Sequence, residues 1–153
     1  MRLGVISDTH GLLRPEVFDA FAEVDHILHA GDLGPLELLT ELEAIAPVTA
    51  VRGNNDRGGW ARSLPEVAGL RAGAARILVA HDASPWRDRP PPAVDVLVTG
   101  HSHQPRVARD PGLLRVNPGS AGPRRFSLPV SVGFLEVSGA RIEARLATLE
   151  VSR

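Results

Sequence analysis

Short apolar runs alternate with amphipathic stretches through the first half of the chain. Residues 2–7 (RLGVIS), 26–32 (HILHAGD) and 48–53 (VTAVRG) have the length and apolar content of buried strands. Between them, a proline opens each of two stretches with helical spacing, EVFDAFAEV at 16–24 and PLELLTELEAI at 35–45. Strands that alternate with helices pair in parallel through right-handed crossovers, so this pattern predicts an α/β start.

The second half changes character after two more strands. Residues 75–82 (ARILVAHD) and 94–103 (VDVLVTGHSH) are predicted strands, and the proline run between them (83–93) predicts an ordered surface loop. From Leu113 onward, alternation broken by turn residues predicts an antiparallel finish. No repeat or linker divides the chain, so residues 1–153 are predicted to form one domain with two kinds of sheet.

Composition limits the classes of function. A chain of 153 residues with 43% hydrophobic and 23% charged residues is typical of one soluble globular domain. The net charge of −1 argues against a general nucleic-acid binder, which would carry a strong basic excess. Cysteine is absent, so any metal site must use nitrogen and oxygen ligands. The N-terminal apolar run is too short for a signal peptide or a membrane span, which favours a cytoplasmic protein without a membrane partner.

Polar side chains follow each predicted strand of the α/β pattern. The strand ends SDTHG, HAGD, RGNND, VAHD and TGHSH all deliver Asp, Asn or His at the edge where open α/β sheets place ligand sites. Asp8 and His10 are two residues apart, as are His101 and His103, so each pair projects to one side of an extended segment. Together with Asp32 and an amide oxygen, they are too many ligands for one metal ion.

Such a ligand set indicates hydrolysis at two metal ions. Two divalent ions about 3.5–4 Å apart clamp the attacking and leaving oxygens of an in-line displacement, and a bridging anion has to lie between them. Asp32 is the candidate bridge, because Gly31 before it permits close approach of backbone and metal. Two such ions and two carboxylates leave a charge of about +2, which would attract a phosphate ester.

The order of these motifs resembles the calcineurin-like metallophosphoesterases, specifically the small prokaryotic phosphodiesterases of the YfcE type. The family pattern is D-x-H, G-D, G-N-x-[DE], an isolated H and G-H-x-H, and the resemblance extends from Met1 to the NPGS turn at 117–120. Here the motifs are Asp8-Thr9-His10, Gly31-Asp32, Gly53-Asn54-Asn55-Asp56, His81 and Gly100-His101-Ser102-His103. The resemblance implies an α/β fold, a four-layer αββα sandwich of two mixed β-sheets with the metals at one edge.

The resemblance also implies four protein ligands for each metal, with Asp32 shared. The ligands of the first metal would be Asp8, His10, Asp32 and His103. Those of the second would be Asp32, Asn54, His81 and His101. Carboxylate, imidazole and amide ligands together suit transition metals better than calcium or magnesium. Because many family members favour manganese, two Mn²⁺ ions are expected, with Fe, Zn, Ni or Co as alternatives.

The implied activity is hydrolysis of phosphate esters, above all phosphodiesters, by in-line attack of a metal-bridging hydroxide at a binuclear centre. The residues expected to act in the reaction are Asp32, Asn54, His10 and Asn55. The expected partner is a small-molecule phosphate ester, and self-association into a homo-oligomer is left open.

Three features depart from the family pattern. Asn55 stands where many members have a histidine that protonates the leaving group, so help worth about 10²–10⁴-fold is expected to be missing, which favours good leaving groups. Asp82 follows His81 in place of the usual glycine, and the loop at 83–93 is shorter and richer in proline. These departures leave an alternative function, a metal-binding or protein-interaction scaffold of the same fold with weak or absent catalysis.

Two further pairs of residues have alternative interpretations. His26 and His29 have no place in the metal pattern and are expected to be structural, with support of the metal ligands by His29 as the alternative. Arg124 and Arg125 are either a substrate clamp or solvated surface.

Overall fold

A computed structural model describes residues 1–151 of the protein. Within them, the first half contains β1 (Arg2–Ile6), α1 (Pro15–Ala20), β2 (His26–His29), α2 (Leu36–Glu43) and β3 (Val48–Ala50). The remaining strands are β4 (Val67–Ala72), β5 (Ala75–Ala80), β6 (Val96–Val98), β7 (Arg106–Asp110), β8 (Leu113–Asn117), β9 (Ser131–Ser138) and β10 (Arg141–Thr148). Two short 3-10 turns, at Ala61–Ser63 and Ser84–Trp86, lie between β3 and β6.

The strands form two mixed five-stranded sheets, which confirms the two mixed sheets of the predicted sandwich. Of the two helical layers predicted, the described residues form the one on the first sheet. The first sheet has the order β10-β9-β1-β2-β3, in which β1, β2 and β3 are parallel and the other two strands are antiparallel. The second has the order β4-β5-β6-β8-β7, with a parallel centre and antiparallel edges. In register, Ile6 lies opposite His29 and Val79 opposite Val98, so neighbouring parallel strands end level with one another. The loops after these strands therefore leave from one edge.

The predicted antiparallel finish is correct for β9 and β10 and wrong for β8. β8 pairs in parallel with β6, and only its other neighbour, β7, is antiparallel to it. The sequence pattern did not predict β7 or β4. RVARD in β7 has no apolar side chain that is buried, and VAGLRA in β4 contains a glycine and three exposed residues, so neither shows a clear hydrophobic pattern.

The hydrophobic core has two parts, one on each face of the first sheet. Between the sheets, Leu3 and Val5 of β1 pack with Ile77 and Val79 of β5. On the other face of the first sheet, the helices contribute residues that pack against Ile6 and Ile27 and other strand residues. Phe21, which directly follows α1, is fully buried. Its ring packs so closely on Gly4 that a Cβ at position 4 would lie only 2.8 Å from it. Burial of such a side chain stabilises the fold by about 1.5–3 kcal/mol.

The outer faces of the two sheets are covered unequally. Both α1 and α2 pack on the first sheet, where Pro15 occupies the first helical position, at which a missing N–H costs nothing. After β5, in contrast, the proline-rich loop at 83–93 forms only the 3-10 turn at Ser84–Trp86. Both helices are shorter than predicted, ending at Ala20 and Glu43. In the part of the chain that the structure describes, neither helix has the length and apolar content needed to cross a membrane.

Candidate metal centre

The loops after β1, β2, β3, β5 and β6 bring all seven predicted metal ligands together at one edge of the sandwich. We divide them into a first cluster (Asp8, His10 and His103) and a second cluster (Asn54, His81 and His101), with Asp32 adjoining both. Each cluster draws on both sheets, because its ligands follow strands of the first and of the second sheet. Stacking of the two sheets therefore assembles the site.

The first cluster is centred on a buried carboxylate oxygen. Asp8 Oδ1 lies 3.4 Å from His103 Nε2 and 3.8 Å from His10 Nε2. The two histidine nitrogens are 3.4 Å apart, and the rings are stacked with an interplanar angle of 27°. Asp8 is fully buried and His103 nearly so, whereas the side chain of His10 is 28% exposed. His10 is thus the ligand of this cluster that reaches solvent.

The second cluster joins three polar atoms from three loops. Asn54 Oδ1 lies 2.8 Å from His81 Nε2 and 3.1 Å from His101 Nδ1, and the two histidine nitrogens are 3.2 Å apart. His81 is buried and donates its Nδ1–H to the carbonyl of Ala30 at 2.7 Å, which leaves the lone pair of Nε2 facing the site. Asn54 and His101 are exposed.

Asp32 lies between the two clusters. Its Oδ2 atom is 3.8 Å from His10 Nε2 of the first cluster and 3.3 Å from His81 Nε2 of the second. Burial alone would raise the pKa of Asp32, but His81 and the backbone amide of Asn55 stabilise the carboxylate and lower that pKa to about 2. Asp32 is therefore an anion at neutral pH that lies within 4 Å of a histidine of each cluster.

The donor set fits divalent transition-metal ions. Asp8 Oδ1 is buried without a hydrogen-bond partner, although a carboxylate oxygen in such a place normally has one. In neutral His81 the Nε2 lone pair lies 2.8 Å from the Asn54 oxygen, and a cation between these two acceptor atoms would make that approach favourable. Imidazole nitrogens with carboxylate and amide oxygens are the ligands that suit these metals.

The charges of the histidines reflect their neighbours. Burial disfavours the charged form of His81. The carboxylates of Asp32 and Asp8 stabilise that form more strongly, so the pKa of His81 is raised. Burial lowers the pKa of His103. The negative charge of Asp8 acts to raise this pKa, but the positive charges of His10 and Arg125 act to lower it, and the net shift is downward. Arg125 therefore lies close enough to act on the first cluster.

Asp8 is held in one orientation by its neighbours. Its other oxygen, Oδ2, accepts hydrogen bonds from Ser7 Oγ at 2.7 Å and from the backbone N–H of His101 at 3.1 Å. The carbonyl of Asp8 accepts a bond from Ser120 Oγ at 2.9 Å. A Cβ at position 100 would collide with Ser7 Oγ, so glycine there allows the two loops to meet. The free oxygen of Asp8 is directed into the cluster as a result.

His29 supports the ligand loops through a buried chain of hydrogen bonds. The N–H of Gly31 donates to His29 Nδ1 at 3.1 Å, so Nε2 carries the proton and donates to Thr9 Oγ1 at 3.0 Å. Thr9 then donates to the carbonyl of Leu33 at 2.8 Å. Burial, with a smaller effect from the positive charge of His81, lowers the pKa of His29 to about 3. Neutral His29 thus ties the loop of Asp8 and His10 to the loop of Asp32.

Asp56 is a structural residue of the site that sequence analysis missed. It is buried, and its carboxylate accepts four backbone N–H groups, from Asp32 at 2.9 Å, Gly53 at 2.9 Å, Leu33 at 3.3 Å and Gly34 at 3.3 Å. It therefore joins the loops after β2 and β3. The only signal in the sequence was its place as the acidic residue of the G-N-x-[DE] motif.

The backbone at the site has an unusual conformation. Five of the seven proposed ligands have positive φ, and they are Asp8 (55°), His10 (45°), Asp32 (58°), His101 (71°) and His103 (62°). Non-glycine residues adopt this left-handed region uncommonly, and Asp, Asn and His are the types that adopt it most readily. Such conformations cost of order 1–3 kcal/mol each and concentrate at functional sites.

The remaining predicted residues lie close to the centre or apart from it. Asn55 donates its backbone N–H to Asp32 Oδ1 at 2.8 Å and its side-chain amide to Asp32 Oδ2 at 3.2 Å. Asp82 does not contact the clusters through its carboxylate, which instead accepts from Ser84 Oγ at 2.7 Å. His26 is outside the site and contacts Thr49 Oγ1 at 2.8 Å.

Known proteins resemble this chain in sequence and in fold. The sequence profile described as "Calcineurin-like phosphoesterase superfamily domain" matches residues 1–140. A Methanothermobacter thermautotrophicus protein described as "Probable metallophosphoesterase" is 39% identical, over 95% of this chain and 91% of its own length. Zinc-complexed Vps29 from Entamoeba histolytica is 26% identical, with a TM-score of 0.75 over 97% of this chain and 99% of that one. The E. coli phosphoesterase YfcE is 25% identical, with a TM-score of 0.70 over 89% of this chain and 88% of its own.

Proposed function

The chain belongs to the calcineurin-like phosphoesterase superfamily, and we propose that it is a phosphodiesterase that works with two divalent metal ions. The observation that supports this proposal best is the convergence of two histidine clusters on two buried carboxylates, one of which has an oxygen without a hydrogen-bond partner. A purely structural role would leave that oxygen uncompensated at a cost of about 1–3 kcal/mol or more.

In the proposed centre, the first cluster and Asp32 would hold one metal ion, and the second cluster and Asp32 would hold the other. When bound, two divalent ions would supply Lewis acidity at phosphorus and a nucleophile derived from water near neutral pH. We expect Mn²⁺ to be preferred. Zn²⁺ is the natural comparator, because the Vps29 from Entamoeba histolytica was solved in complex with it.

The side chains of this chain determine where the ester enters. His10, Asn54 and His101 are the ligands that reach solvent, so the phosphate approaches between them. Asn54 contributes an oxygen without adding negative charge, which keeps the proposed centre cationic and attractive to an anionic diester. Asp8 and Asp32, both buried, are shielded from water behind the histidines.

The amide of Asn55 favours diesters with good leaving groups. It donates a hydrogen bond to Asp32 Oδ2 but cannot transfer a proton at neutral pH. A leaving alkoxide would therefore depart without proton transfer from this position. We expect hydrolysis of aryl phosphodiesters to exceed that of alkyl phosphomonoesters.

The proposal is tested with bis-p-nitrophenyl phosphate and added Mn²⁺, Zn²⁺ or Co²⁺, together with metal analysis by mass spectrometry. We expect about two ions per chain and metal-dependent release of nitrophenolate. His81→Ala should lose turnover and one ion, whereas His26→Ala, a histidine outside the centre, should retain both. If the protein binds metal but does not hydrolyse bis-p-nitrophenyl phosphate with any of the three ions, the proposed phosphodiesterase function is ruled out.

A second candidate function is a protein-interaction scaffold with little catalysis. It is favoured by Asn55, which leaves the position of the leaving-group acid without a titratable side chain. The structural likeness to Vps29 is consistent with this alternative. Absence of both bound metal and turnover in the same experiment would support the scaffold over the enzyme.

A further inference from the structure

A groove of about 470 Å³ lies on the outer face of the second sheet and opens at the proposed metal centre. We call it the outer groove. Its floor consists of alternate residues of β7 and β8, including Arg106, Ala108 and Arg115. Its wall is the segment after β5, including Asp82 and Arg87. A volume of this size is in the range of small-molecule sites.

The outer groove exists because of the short loop at 83–93. Proline cannot continue a helix, and this loop forms a single 3-10 turn, so it leaves the β7–β8 half of the sheet uncovered. The residues of β8 that face the other way, Leu114 and Val116, belong to the core between the sheets. The face that carries Arg115 and Asn117 is therefore the open one.

The outer groove is continuous with the reaction site. His101 of the second cluster is one of its lining residues. Arg106 follows His103 by three residues, so their Cα atoms are at most about 11 Å apart. Arg106 also pairs in register with Asn117, whose side-chain amide donates to the carbonyl of Gly100 at 3.0 Å. Arg106 thus lies on the side of the outer groove that is nearest to the proposed metal centre.

The charged side chains that line the outer groove are three arginines and two aspartates, which leaves one net positive charge. Arg115 is paired with Asp110 at 2.7 Å. The Asp82 carboxylate accepts from the Ser84 N–H and hydroxyl at 2.9 and 2.7 Å and remains an anion, because these bonds lower its pKa. Within residues 1–151, the guanidinium groups of Arg87 and Arg106 have no carboxylate partner and donate no hydrogen bond. Both side chains are exposed, so they are available to a ligand.

The lining also determines what kind of ligand fits. No Phe or Trp is among the described residues that line the outer groove, so a base or another flat ring finds only the His101 imidazole to stack on, and that ring is a proposed metal ligand. The other polar side chains are Ser102, Gln104 and Asn117, which form hydrogen bonds without adding charge. Recognition in this groove would depend on charge, for which arginine and phosphate are a favourable pair.

We propose that the outer groove binds a second phosphate group of the substrate, through Arg106 and Arg87, while the scissile phosphodiester lies at the metal centre. The substrate class is therefore a phosphodiester that carries a further phosphate about one nucleotide unit away. This inference rests on the phosphodiesterase function proposed above. It adds a specificity determinant that is separate from the metal ligands.

The kinetic test uses two substrates that differ only in the second phosphate. They are thymidine 5′-(4-nitrophenyl phosphate) and the same compound phosphorylated on the 3′ oxygen. We expect the second to have a kcat/KM about tenfold higher or more, because an arginine–phosphate pair is a charge-assisted interaction. The ratio should fall to near one in the Arg87→Ala/Arg106→Ala variant, and most of that fall should occur with Arg106→Ala alone.

Arg109→Ala is the matched control for the kinetic test. Arg109 lies on the same strand, but its side chain donates to the carbonyl of Ile142 at 3.0 Å and does not line the outer groove. This variant should keep the substrate ratio of the unmodified protein. A ratio near one in the unmodified protein, or a ratio that Arg106→Ala leaves unchanged, would overturn the proposal.

A binding measurement separates failure of the groove from failure of the enzyme. Calorimetry with Mn²⁺-loaded protein compares thymidine 3′,5′-bisphosphate with thymidine 5′-monophosphate. Tighter binding of the bisphosphate that is lost in Arg106→Ala and kept in Arg109→Ala would support the groove even if bis-p-nitrophenyl phosphate is not hydrolysed. Equal affinities for the two nucleotides would overturn the groove proposal, whatever the turnover.

Discussion

The two clusters of the proposed metal centre differ in how firmly the protein holds them. In the first cluster, Asp8 and His103 are buried, and hydrogen bonds from Ser7, His101 and Ser120 fix the Asp8 segment. In the second cluster only His81 is buried, and Asn54 and His101 are exposed. Ligands held in place before binding lose less entropy when a metal arrives. The first cluster should therefore bind its ion more tightly, and the second should exchange its ion more readily.

Removal of the residue that adjoins both clusters should have the largest effect. Asp32→Ala deletes the carboxylate shared by the two sets of ligands, so we expect loss of paired metal and a fall in kcat/KM of about 10³-fold or more. Metal content and hydrolysis of bis-p-nitrophenyl phosphate measure the two effects. Asp19→Ala, an exposed carboxylate on α1, is the control. Two tightly bound ions in Asp32→Ala would contradict the bridging role.

Two histidines on one loop test the difference between the clusters directly. His103→Ala removes a buried ligand of the first cluster, and His101→Ala removes an exposed ligand of the second. After dialysis, we expect His101→Ala to retain about one ion per chain and His103→Ala to retain markedly less, with Mn²⁺ affinity lowered about 100-fold. Metal analysis and titration with Mn²⁺ give both quantities. Equal retention of metal by the two variants would contradict the predicted difference in metal affinity between the two clusters.

The support given by His29 predicts how stability depends on pH. Its pKa is about 3 in the folded protein, against an ordinary value of 6.5, because burial disfavours the charged ring. Above pH 6.5 both folded and unfolded states leave this ring neutral. As the pH falls below that value, the unfolded chain binds a proton that the folded protein does not, so stability decreases until about pH 3. The loss reaches about 2 kcal/mol by pH 5.

Urea unfolding of the metal-free protein in a chelator, between about pH 7 and pH 5, measures this decrease. His29→Gln lacks the titrating ring, so its free energy of unfolding should depend less steeply on pH over the same range. Asp32 does not interfere, because its stabilising effect is lost only as the pH falls from about 3.8 to its lowered pKa of about 2. Identical slopes in the two proteins would contradict the buried, neutral state of His29.

Thr9→Val tests the same support without removing the histidine. Valine has a similar volume but no hydroxyl, so His29 Nε2–H loses its acceptor, and the carbonyl of Leu33 keeps only the N–H of Gly11 as a donor. We expect the free energy of unfolding to fall by about 1–3 kcal/mol. Affinity for the first metal should fall as well, since Thr9 lies between two of its ligands. Thr40→Val on α2 serves as a control, and equal effects of the two substitutions would argue against a specific role of Thr9.

Asn55→His should have the smallest effect, and it adds a proton donor beside the centre. A histidine here could protonate a leaving alkoxide, so we expect hydrolysis of p-nitrophenyl phosphate and alkyl monoesters to rise about tenfold. Asn54→Ala should instead weaken binding of the second metal, because it removes the oxygen that lies 2.8 Å from His81. Similar behaviour of the two variants would contradict the separate roles of the neighbouring asparagines.

The sequence predicted which residues meet at one edge of the sandwich, because they follow apolar strands directly. Register brings Asp8 and Asp32 level at the edge of the first sheet and His81 and His101 level at the edge of the second, and stacking of the sheets joins the two pairs. The support around them could not be predicted in the same way. Three of the four amide bonds of Asp56 come from residues 22–24 positions away, and the contact of His29 with Thr9 spans 20 positions. β4 and β7 are defined by pairing with a neighbouring strand rather than by their own hydrophobic pattern.

The left-handed backbone at five of the proposed ligands has a consequence for how this chain can change in evolution. Five residues combine that backbone with side-chain types that tolerate it, and they are Asp8, His10, Asp32, His101 and His103. Replacement of any of them by most other residues would strain the fold, even in a descendant that did not bind metal. Under the proposed function, a descendant without the activity would tend to keep these five. Asn54 and His81 have ordinary φ values, so substitutions at these two positions would be the earliest sign that the proposed activity had been lost.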